Sequence, residues 1–491
     1  MKPISRLLPL AAALALSACT VGPNFQQPKV ESADTWQGQH NGTALQLPKI
    51  SDAVLLADWW TALNDPVLNQ LESHALANGL DVQTAALHSA QARMQRVGTA
   101  AQYGPDVNLS GSATRNRLSE DGSSTRMINL LGGSNGSRYI GALASPYNLY
   151  QVGFDASWEP DLWGRISRGV ESADAAVQEQ GALLDWARLT LAAEVAQNYA
   201  ELRTTQTQIR LMKEDIRALT EKTNLLASRV AKGMNNHIDM QRQRTELAAL
   251  QAQLPALQAQ ESAYIGKLTL LLGERPGVLN DLLDDSRTMP AAKLPDLAIG
   301  LPSEVARRRP DILAAEAKLH SATADIGVAK AALYPSIRIG AKFGTEALSG
   351  SSFGEWGSRT WSIGPTLDLP IFDHGRRVST VKLRELQQQE AAVAYQKTVL
   401  SAWKEIDEAL TAYAAEQQQY QALQKRAATA GEAYRLTEAR YKRGMEDFSS
   451  VLDSQRSYLQ ARRDLADSLG RLNTRYVAIN KAVGNVPDTA Q

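Results

Sequence analysis

Two long stretches of the sequence contain no proline, one between Pro160 and Pro255 and the other between Pro370 and Pro487. Both are rich in Ala, Gln, Glu, Lys, Arg and Leu, which favour helix formation, whereas an internal proline would disfavour it. A helix over residues 165–232 would be roughly 100 Å long at 1.5 Å per residue. No single globular domain of this size needs such a rod, so the chain is predicted to fold around very long helices.

Apolar residues recur at three- and four-residue steps in both stretches, which is the pattern of a coiled-coil seam. In the first stretch they are Ile166, Val170, Ala173, Val177, Leu184, Leu191, Val195, Leu202, Ile209 and Ile216. In the second they are Val399, Trp403, Ile406, Leu410, Tyr413 and Tyr420. Gly233 and Gly444 follow these helices and suit turns that join antiparallel helices. Such helices can line a conduit or form a solvated coiled-coil spacer, and periodicity alone allows both.

The chain is internally duplicated. An offset of 211 residues relates Gly153 to Gly364, Arg229–Met234 to Arg440–Met445, and Gly273 to Gly484. Upstream the offset is 230 residues, as between Pro105 and Pro335, so the first copy has a 19-residue insertion between Pro105 and Gly153. Each copy is predicted as helix, strand, long loop, strand, very long helix, turn and helix. Pro255 has Ala466 as its counterpart, so we expect one helix but not its copy to be kinked or broken.

The duplication and its flanks divide the chain into six predicted segments. They are a signal peptide (1–18), an N-terminal arm (19–63), a first repeat (64–273), a proline-rich linker (274–302), a second repeat (303–484) and a C-terminal tail (485–491).

The N-terminus has the features of an export signal. Lys2 and Arg6 precede an apolar run of about ten residues, too short for a membrane helix, which needs roughly 20. A buried N-terminal helix is the alternative. The run ends in Leu16-Ser17-Ala18-Cys19, which resembles a bacterial lipobox. That resemblance implies that Cys19, the sole cysteine of the chain, is lipidated.

Four segments alternate apolar and polar residues, which indicates β-strands with one apolar face. They are residues 107–113, 150–158, 337–343 and 360–369, and Trp158, Trp163, Trp356 and Trp361 lie near strand ends. With an export signal, this pattern favours an outer-membrane barrel, although a soluble antiparallel sheet gives the same alternation. Bacterial barrels need at least about eight strands, so a chain with four is predicted to share its barrel with other copies.

Several activities have no support in the sequence. The 52 basic and 52 acidic residues balance, which argues against nucleic acid as a partner. The six histidines are scattered without a zinc-binding pattern. Residues 132–136 and 350–354 both match the G-x-S-x-G nucleophile pattern, but both fall in loops between strands rather than at strand-to-helix turns. We therefore expect neither an enzyme nor a cofactor, apart from the covalent lipid.

Three segments together resemble a known family. They are Leu16–Phe25, residues 300–312 (Gly-Leu-Pro-Ser-Glu through Arg-Arg-Pro-Asp-Ile) and Val451–Arg456. The sequence is similar to the TolC-like outer-membrane factors of tripartite, RND-type efflux systems, in their NodT-type lipoprotein branch. The resemblance implies a mainly α fold with a small membrane β part. Long coiled-coil helices would form a trimeric α-barrel in the periplasm, and four strands per chain would join a shared 12-stranded β-barrel.

The resemblance also implies partners and sites. The chain would be a homotrimer in the outer membrane, anchored by lipid and paired with a periplasmic adaptor and an inner-membrane pump. Adaptor-docking turns would comprise Arg229, Lys232, Gly233, Arg440, Arg443 and Gly444, and the aromatic girdle would comprise the four tryptophans above. Asp453 and Arg456 match positions that narrow the periplasmic aperture, although a plain surface ion pair is the alternative. Their counterparts Arg242 and Thr245 lack the acidic member.

The leading function is passive export of small molecules delivered by the pump, with iris-like opening at the periplasmic helix ends. One alternative is a non-conducting periplasmic coiled-coil tether. Another is a duct for type I protein secretion, a branch that typically lacks a lipobox. The cargo is expected to be set mostly by the pump and the adaptor.

Overall fold

The computed structural model describes residues 20–28, 57–123, 125–126, 136–233, 236–284, 305 and 307–487. The predicted signal peptide, Cys19 and most of the proline-rich linker lie outside the described residues. Within them the chain is mostly helical with a small antiparallel sheet, as the sequence predicts. Among the described helices, none is both long and apolar enough to cross a membrane.

The strands and the long helices follow the predicted order in each copy, but the first copy has two helices rather than one before its first strand. The first copy contains α1 (Pro66–Asn78), α2 (Leu80–Ala100), β1 (Asp106–Asn116), α3 (Gly136–Leu143), β2 (Tyr147–Trp158), α4 (Arg165–Ala231) and α5 (His237–Leu271). After the short α6 (Asn280–Leu283), the second copy contains α7 (Pro310–Ala331), β3 (Ser336–Ala347), β4 (Arg359–Asp368), α8 (Arg376–Lys442) and α9 (Phe448–Val483).

The elements of the two copies begin at the predicted offsets. Helices α4 and α8 are each 67 residues long and begin at residues 165 and 376, which are 211 apart. Strands β1 and β3 begin at residues 106 and 336, which are 230 apart. Helix α3 was not predicted, and it lies within the insertion of the first copy.

The chain forms two compact units, and each of them contains segments of both repeats. The first takes in residues up to Gln26, Ala92–Ala176 and Leu319–Glu390, and the second takes in Gln27–Gln91, Val177–Lys318 and Ala391–Gln491. Each unit therefore draws segments from both copies, so a repeat is not a separately packed domain.

The first unit holds a sheet with the strand order β1-β2-β3-β4, all antiparallel. β1 and β4 lie at its edges. Pro365 lies in β4, opposite Ile339 of β3, and because proline has no N–H, β4 has one ladder donor fewer at this position.

The second unit is held together by packed helices. Its core includes the seam residues Val195, Leu202 and Ile406, each fully buried. Trp59 and Tyr476 pack edge to face, and the Tyr476 hydroxyl donates to the Trp59 carbonyl oxygen at 3.1 Å. The middle part of the predicted coiled-coil seam thus lies in the core in which α1, α4, α8 and α9 meet.

Helix α5 runs without interruption through Pro255. The predicted break at Pro255 is therefore wrong, whereas a kink there stays a prediction. Leu254 and Leu257, on either side of the proline, pack against a buried cluster that contains Met212 and Leu459. Burial of these side chains offsets the loss of one backbone hydrogen bond.

A carboxyl group without a partner lies in the core of the second unit. Glu72 on α1 is fully buried, and neither of its carboxyl oxygens has a hydrogen-bond partner among the described residues. Burial raises the pKa of Glu72 well above its usual range. The group is therefore neutral over a pH range in which an ordinary glutamate is charged.

We expect Glu72 to make the folded protein less stable as pH rises. The unfolded chain releases the proton near the ordinary glutamate pKa, whereas the folded chain keeps it, so stability falls from about pH 4.5 upward by at most about 1.4 kcal/mol per pH unit. Thermal unfolding of the full-length protein in detergent between pH 5 and pH 8 measures this. In Glu72→Met the pH dependence should shrink, whereas Glu408→Met, at a largely exposed position on α8, should match the wild type. An equal slope in Glu72→Met and the wild type would contradict the prediction.

Candidate functional site at the hairpin ends and on the sheet

A glycine lies two positions after the end of each 67-residue helix. Gly233 and Gly444 have φ of 70° and 71°, a left-handed conformation that favours glycine. The Gly233 amide donates to Val230 O, and the Gly444 amide donates to Tyr441 O, both at 2.9 Å. The predicted turns between antiparallel helices are present in both copies.

The residues predicted to dock an adaptor are exposed at these two turns. They are Arg229, Lys232, Gly233, Arg440, Arg443 and Gly444. Arg440 has an ion-pair contact with Glu446, with Nε and Oε2 3.5 Å apart. The turns therefore present basic side chains to solvent.

A groove of about 660 Å³ lies between the first turns of α5 and α9. It brings together Asp453 and Arg456 with Arg242 and Thr245, their counterparts in the first copy. The remaining residues that line it are His237, Ile238, Gln241, Ser449 and Leu452. Residues that the duplication relates at a distance of 211 positions thus line one groove, which has both charged and apolar side chains.

The main partner of Arg456 is a residue that the sequence analysis missed. Arg456 Nε donates to Glu246 Oε2 at 2.7 Å, whereas its Nη1 is 4.0 Å from Asp453 Oδ1. The Asp453 side chain is 77% exposed, so its carboxylate faces solvent rather than its neighbour. The ion pair that joins α5 to α9 is therefore Arg456–Glu246. Glu246 directly follows Thr245, the counterpart of Arg456, and this adjacency is the only sequence signal for it.

Further along the helices, a buried carboxylate joins α9 to α4. Arg462 Nη1 lies 3.4 Å from Asp215 Oδ1, and Arg463 Nη1 lies 3.7 Å from Asp215 Oδ2. Burial raises the pKa of Asp215, although the two arginines oppose this shift. Because a buried charge pair is costly to separate, this contact holds the two helices in register.

A second contact joins α4 to α8. Lys222 Nζ lies 2.7 Å from Glu438 Oε1, and it also contacts the Tyr434 hydroxyl. Burial alone would lower the pKa of Lys222, but the bonds to Glu438 and Tyr434 outweigh it and raise the pKa. The two hairpins of one chain are therefore joined by ionic contacts at several levels, among which the Asp215 carboxylate is buried and the others are partly exposed.

The sheet has one apolar and one polar face. Leu109, Phe154, Phe343 and Trp361 lie opposite one another in register and form a row across all four strands. Each of them is more than half exposed. On the other face, Gln151 donates to Glu346 at 2.7 Å.

The four tryptophans of the predicted girdle lie at both ends of the sheet. Trp158 ends β2, and Trp163 follows it, while Trp361 lies near the start of β4 and Trp356 just before it. Trp158 Nε1 donates to Tyr103 O at 2.8 Å, and Trp163 Nε1 donates to Pro335 O at 2.7 Å. Trp356 and Trp361 are 79% and 74% exposed.

The described residues give no sign of a catalytic arrangement at the second G-x-S-x-G match. Residues 350–354 lie in the loop between β3 and β4, where the Ser352 hydroxyl donates to Ser349 O at 3.2 Å. Residues 132–135 of the first match lie outside the described part of the chain. Within that part, no group of His, Cys, Asp and Glu is placed to hold a metal ion.

Comparison with known proteins assigns the chain to a class. The sequence profile of the outer membrane efflux protein family matches residues 71–274 and 301–485. The outer membrane protein OprJ of Pseudomonas aeruginosa is 32% identical over 463 residues, which cover 93% of this chain and 90% of OprJ. The cation efflux system protein CusC of Escherichia coli is 27% identical over 467 residues, 94% of each chain.

A solved structure shows the same fold. The structure of the outer-membrane channel OprN superposes with a TM-score of 0.85 at 29% identity, over 95% of this chain and 99% of that one. The chain belongs to the outer membrane efflux protein family. It is an outer-membrane efflux channel of a tripartite system, as the resemblance implies.

Proposed function

We propose that three copies of this chain form a passive duct that carries small molecules across the outer membrane. The observation that carries the proposal is the apolar row Leu109–Phe154–Phe343–Trp361 on a four-stranded sheet with two open edges. Four strands are too few to close a barrel. Three copies, joined β4 to β1, supply twelve strands with the apolar row facing lipid and the polar face lining the lumen.

In this assembly the channel receives its cargo from an inner-membrane pump through a periplasmic adaptor. Relatives that align over at least 94% of this chain are named for the export of pyoverdine, toluene and cations. Since one fold serves such different cargoes, we infer that the partners set the cargo of this channel. The exposed basic turns around Gly233 and Gly444 are the proposed docking sites for the adaptor.

The residues that follow the proposed lipid anchor, Thr20 and Val21, lie next to the sheet. Val21 donates its amide hydrogen to Trp163 O at 3.2 Å. A Cβ added to Gly164 would lie only 2.8 Å from the Thr20 side chain. Residues 20 and 21 are therefore fixed beside the end of β2, which supports attachment of a lipid at Cys19 close to the membrane.

We expect Cys19→Ser to abolish incorporation of radiolabelled palmitate. The thiol is the only nucleophile of its kind in the chain, and serine does not replace it as the lipid acceptor of a lipobox. Labelling of cells that express the wild type or the variant, followed by purification, measures this. Unlabelled wild-type protein would refute lipidation, whereas membrane localisation alone would not decide it, because the barrel also holds the protein in the membrane.

We propose that the groove at the start of α5 and α9 is the aperture gate. Asp453 and Arg456 lie in it together with Arg242, and the Arg456–Glu246 pair holds the ends of the two helices together. Rings of charged residues at a narrow pore control passage by their field and by pairing between chains. The exposed Asp453 carboxylate is the group available to an arginine of a neighbouring chain.

Removal of the gate charges should increase single-channel conductance several-fold in black lipid bilayers. The double variant Asp453→Ala with Arg456→Ala removes both the pair to Glu246 and the group that faces a neighbouring chain. Arg435→Gln is the matched control, since Arg435 pairs only within α8, with Glu432 at 2.6 Å. An unchanged conductance in the double variant would refute the gate. A purified trimer that never conducts, even with the gate charges removed, would favour a tether over a duct.

A further inference from the structure

A cavity of about 280 Å³ lies in the first unit at the end of the sheet from which the long helices continue. It is formed where β2 leads into α4, where α7 leads into β3, and where β4 ends. Its charged lining comprises Glu159, Asp161, Arg165, Arg338, Asp368 and Arg377. The formal charges of the three guanidinium groups and the three carboxylates cancel.

Glu159 orients two of the arginines without exhausting their donors. Its Oε1 accepts from Arg165 Nε at 3.0 Å, and its Oε2 lies 3.5 Å from Arg338 Nε. A guanidinium carries five N–H donors in a planar fork that suits phosphate. The arginines thus retain further donors for an anion, and Arg338 is 65% exposed.

The carboxylates of the cavity differ in what they already bind. Both oxygens of Asp161 accept the first amide hydrogens of α4, from Ile166 and Ser167. The side chain of Asp368, at the end of β4, has no hydrogen-bond or ion-pair partner among the described residues. One acid of the cavity is therefore available to a cation next to the arginines.

Aromatic and apolar groups lie beside this mixed charge. Trp163 stacks on Tyr334 with ring centroids 4.8 Å apart, and both line the cavity. Three apolar side chains around the end of β4 are strongly exposed: Leu367 (65%), Ile371 (90%) and Phe372 (79%). Trp and Tyr prefer the membrane interface, so this aromatic pair suits headgroup depth, and the exposed apolar side chains beside it suit acyl chains.

The duplication provides an internal comparison. The 211-residue offset places Pro370 opposite Glu159, Phe372 opposite Asp161 and His374 opposite Trp163. The glycines that follow, Gly164 and Gly375, have similar positive φ of 77° and 80°. The two connections therefore share a turn, but only the first copy combines the acids and the tryptophan.

We propose that this cavity binds the headgroup of a zwitterionic phospholipid with a primary ammonium group, of the phosphatidylethanolamine type. The arginines, led by Arg338, bind the phosphate, and Asp368 accepts hydrogen bonds from the ammonium group. A choline headgroup has no N–H to donate, and a glycerol headgroup has no cation, so both fit less well. The site occurs once per chain.

Native mass spectrometry of the delipidated full-length trimer tests this, with palmitoyl-oleoyl phosphatidylethanolamine, phosphatidylcholine or phosphatidylglycerol added in turn. We expect three phosphatidylethanolamine molecules per trimer and about tenfold weaker retention of the other two lipids, the effect of losing one charge-assisted contact. The comparison of the three lipids on the wild type does not depend on any variant folding.

Two variants test the phosphate contact and the ammonium contact separately. Arg338→Gln should weaken retention of all three lipids, whereas Asp368→Asn should weaken only phosphatidylethanolamine, to the level of phosphatidylcholine. Arg384→Gln, an α8 arginine paired with Asp325, is the matched control and should behave as the wild type. Equal retention of the three lipids would overturn the proposal in favour of non-specific annular lipid, and a preference for phosphatidylglycerol would overturn it in favour of an anionic-lipid site. Conductance of the same variants is a separate readout, so failure here does not bear on the duct.

Discussion

Gly344→Val is expected to prevent assembly of the membrane sheet. A Cβ at this position would lie 2.5 Å from Val152 O and 2.8 Å from Gly153 Cα. Both are backbone atoms of the paired strand, and Gly153 lies directly opposite Gly344. Since the backbone of a central strand cannot move aside without breaking its ladder, we expect a cost above about 3 kcal/mol.

The measurement is the amount of folded trimer recovered from outer membranes, by size-exclusion chromatography with light scattering. Gly340→Val is the matched control, because Gly340 lies on the same strand and the same face, and a Cβ there meets nothing within 4 Å. Valine also favours strands, so the control should assemble normally. If as much Gly344→Val trimer is recovered as control trimer, the close approach of β2 and β3 at Gly344 is not required for assembly.

Most of the fold follows from features that are local in sequence or repeated along it. Proline-free stretches and glycines with positive φ mark the ends of the long helices, and the two offsets recur in the first residues of the paired elements. Alternation identifies the four strands because each has one apolar face. These elements can be predicted from the sequence because local backbone geometry, rather than contact with a particular distant residue, determines them.

The site could be predicted only in part. The glycine turns, the gate pair and the tryptophans are recognisable from motifs, but Glu246 is not, because it is 210 positions from the arginine that it binds. Helix α3 was missed because it spans only eight residues. The uninterrupted helix at Pro255 depends on the burial of Leu254 and Leu257. The lipid cavity is assembled from three separate connections. Each of these depends on contacts between residues far apart in the sequence.

The buried Arg309 joins three helices of the second unit, so its loss should destabilise that unit strongly. The side chain is 1% exposed. Its Nη1 donates to Ala482 O at 2.6 Å, and its Nη2 also donates to Glu405 at 2.8 Å. Its Nε and Nη2 donate to the two carboxylate oxygens of Asp311 at 3.0 and 2.7 Å. One guanidinium thus joins the start of α7 to α8 and to the end of α9.

Arg309→Met should lower the free energy of unfolding by about 3–5 kcal/mol, because it leaves a carbonyl and two carboxylates without their cation. Denaturant unfolding of the full-length protein in detergent, followed by far-ultraviolet circular dichroism, measures the loss. Arg308→Met is the matched control, because the Arg308 side chain, next to Arg309 in the sequence, is exposed. This substitution should lower the free energy of unfolding by less than about 0.5 kcal/mol. Arg309→Lys should recover only part of the stability, since an ammonium group cannot bind Asp311 with two parallel bonds and also reach Ala482. Equal stability of Arg309→Met and Arg308→Met would mean that apolar packing alone holds α7 to the two helices.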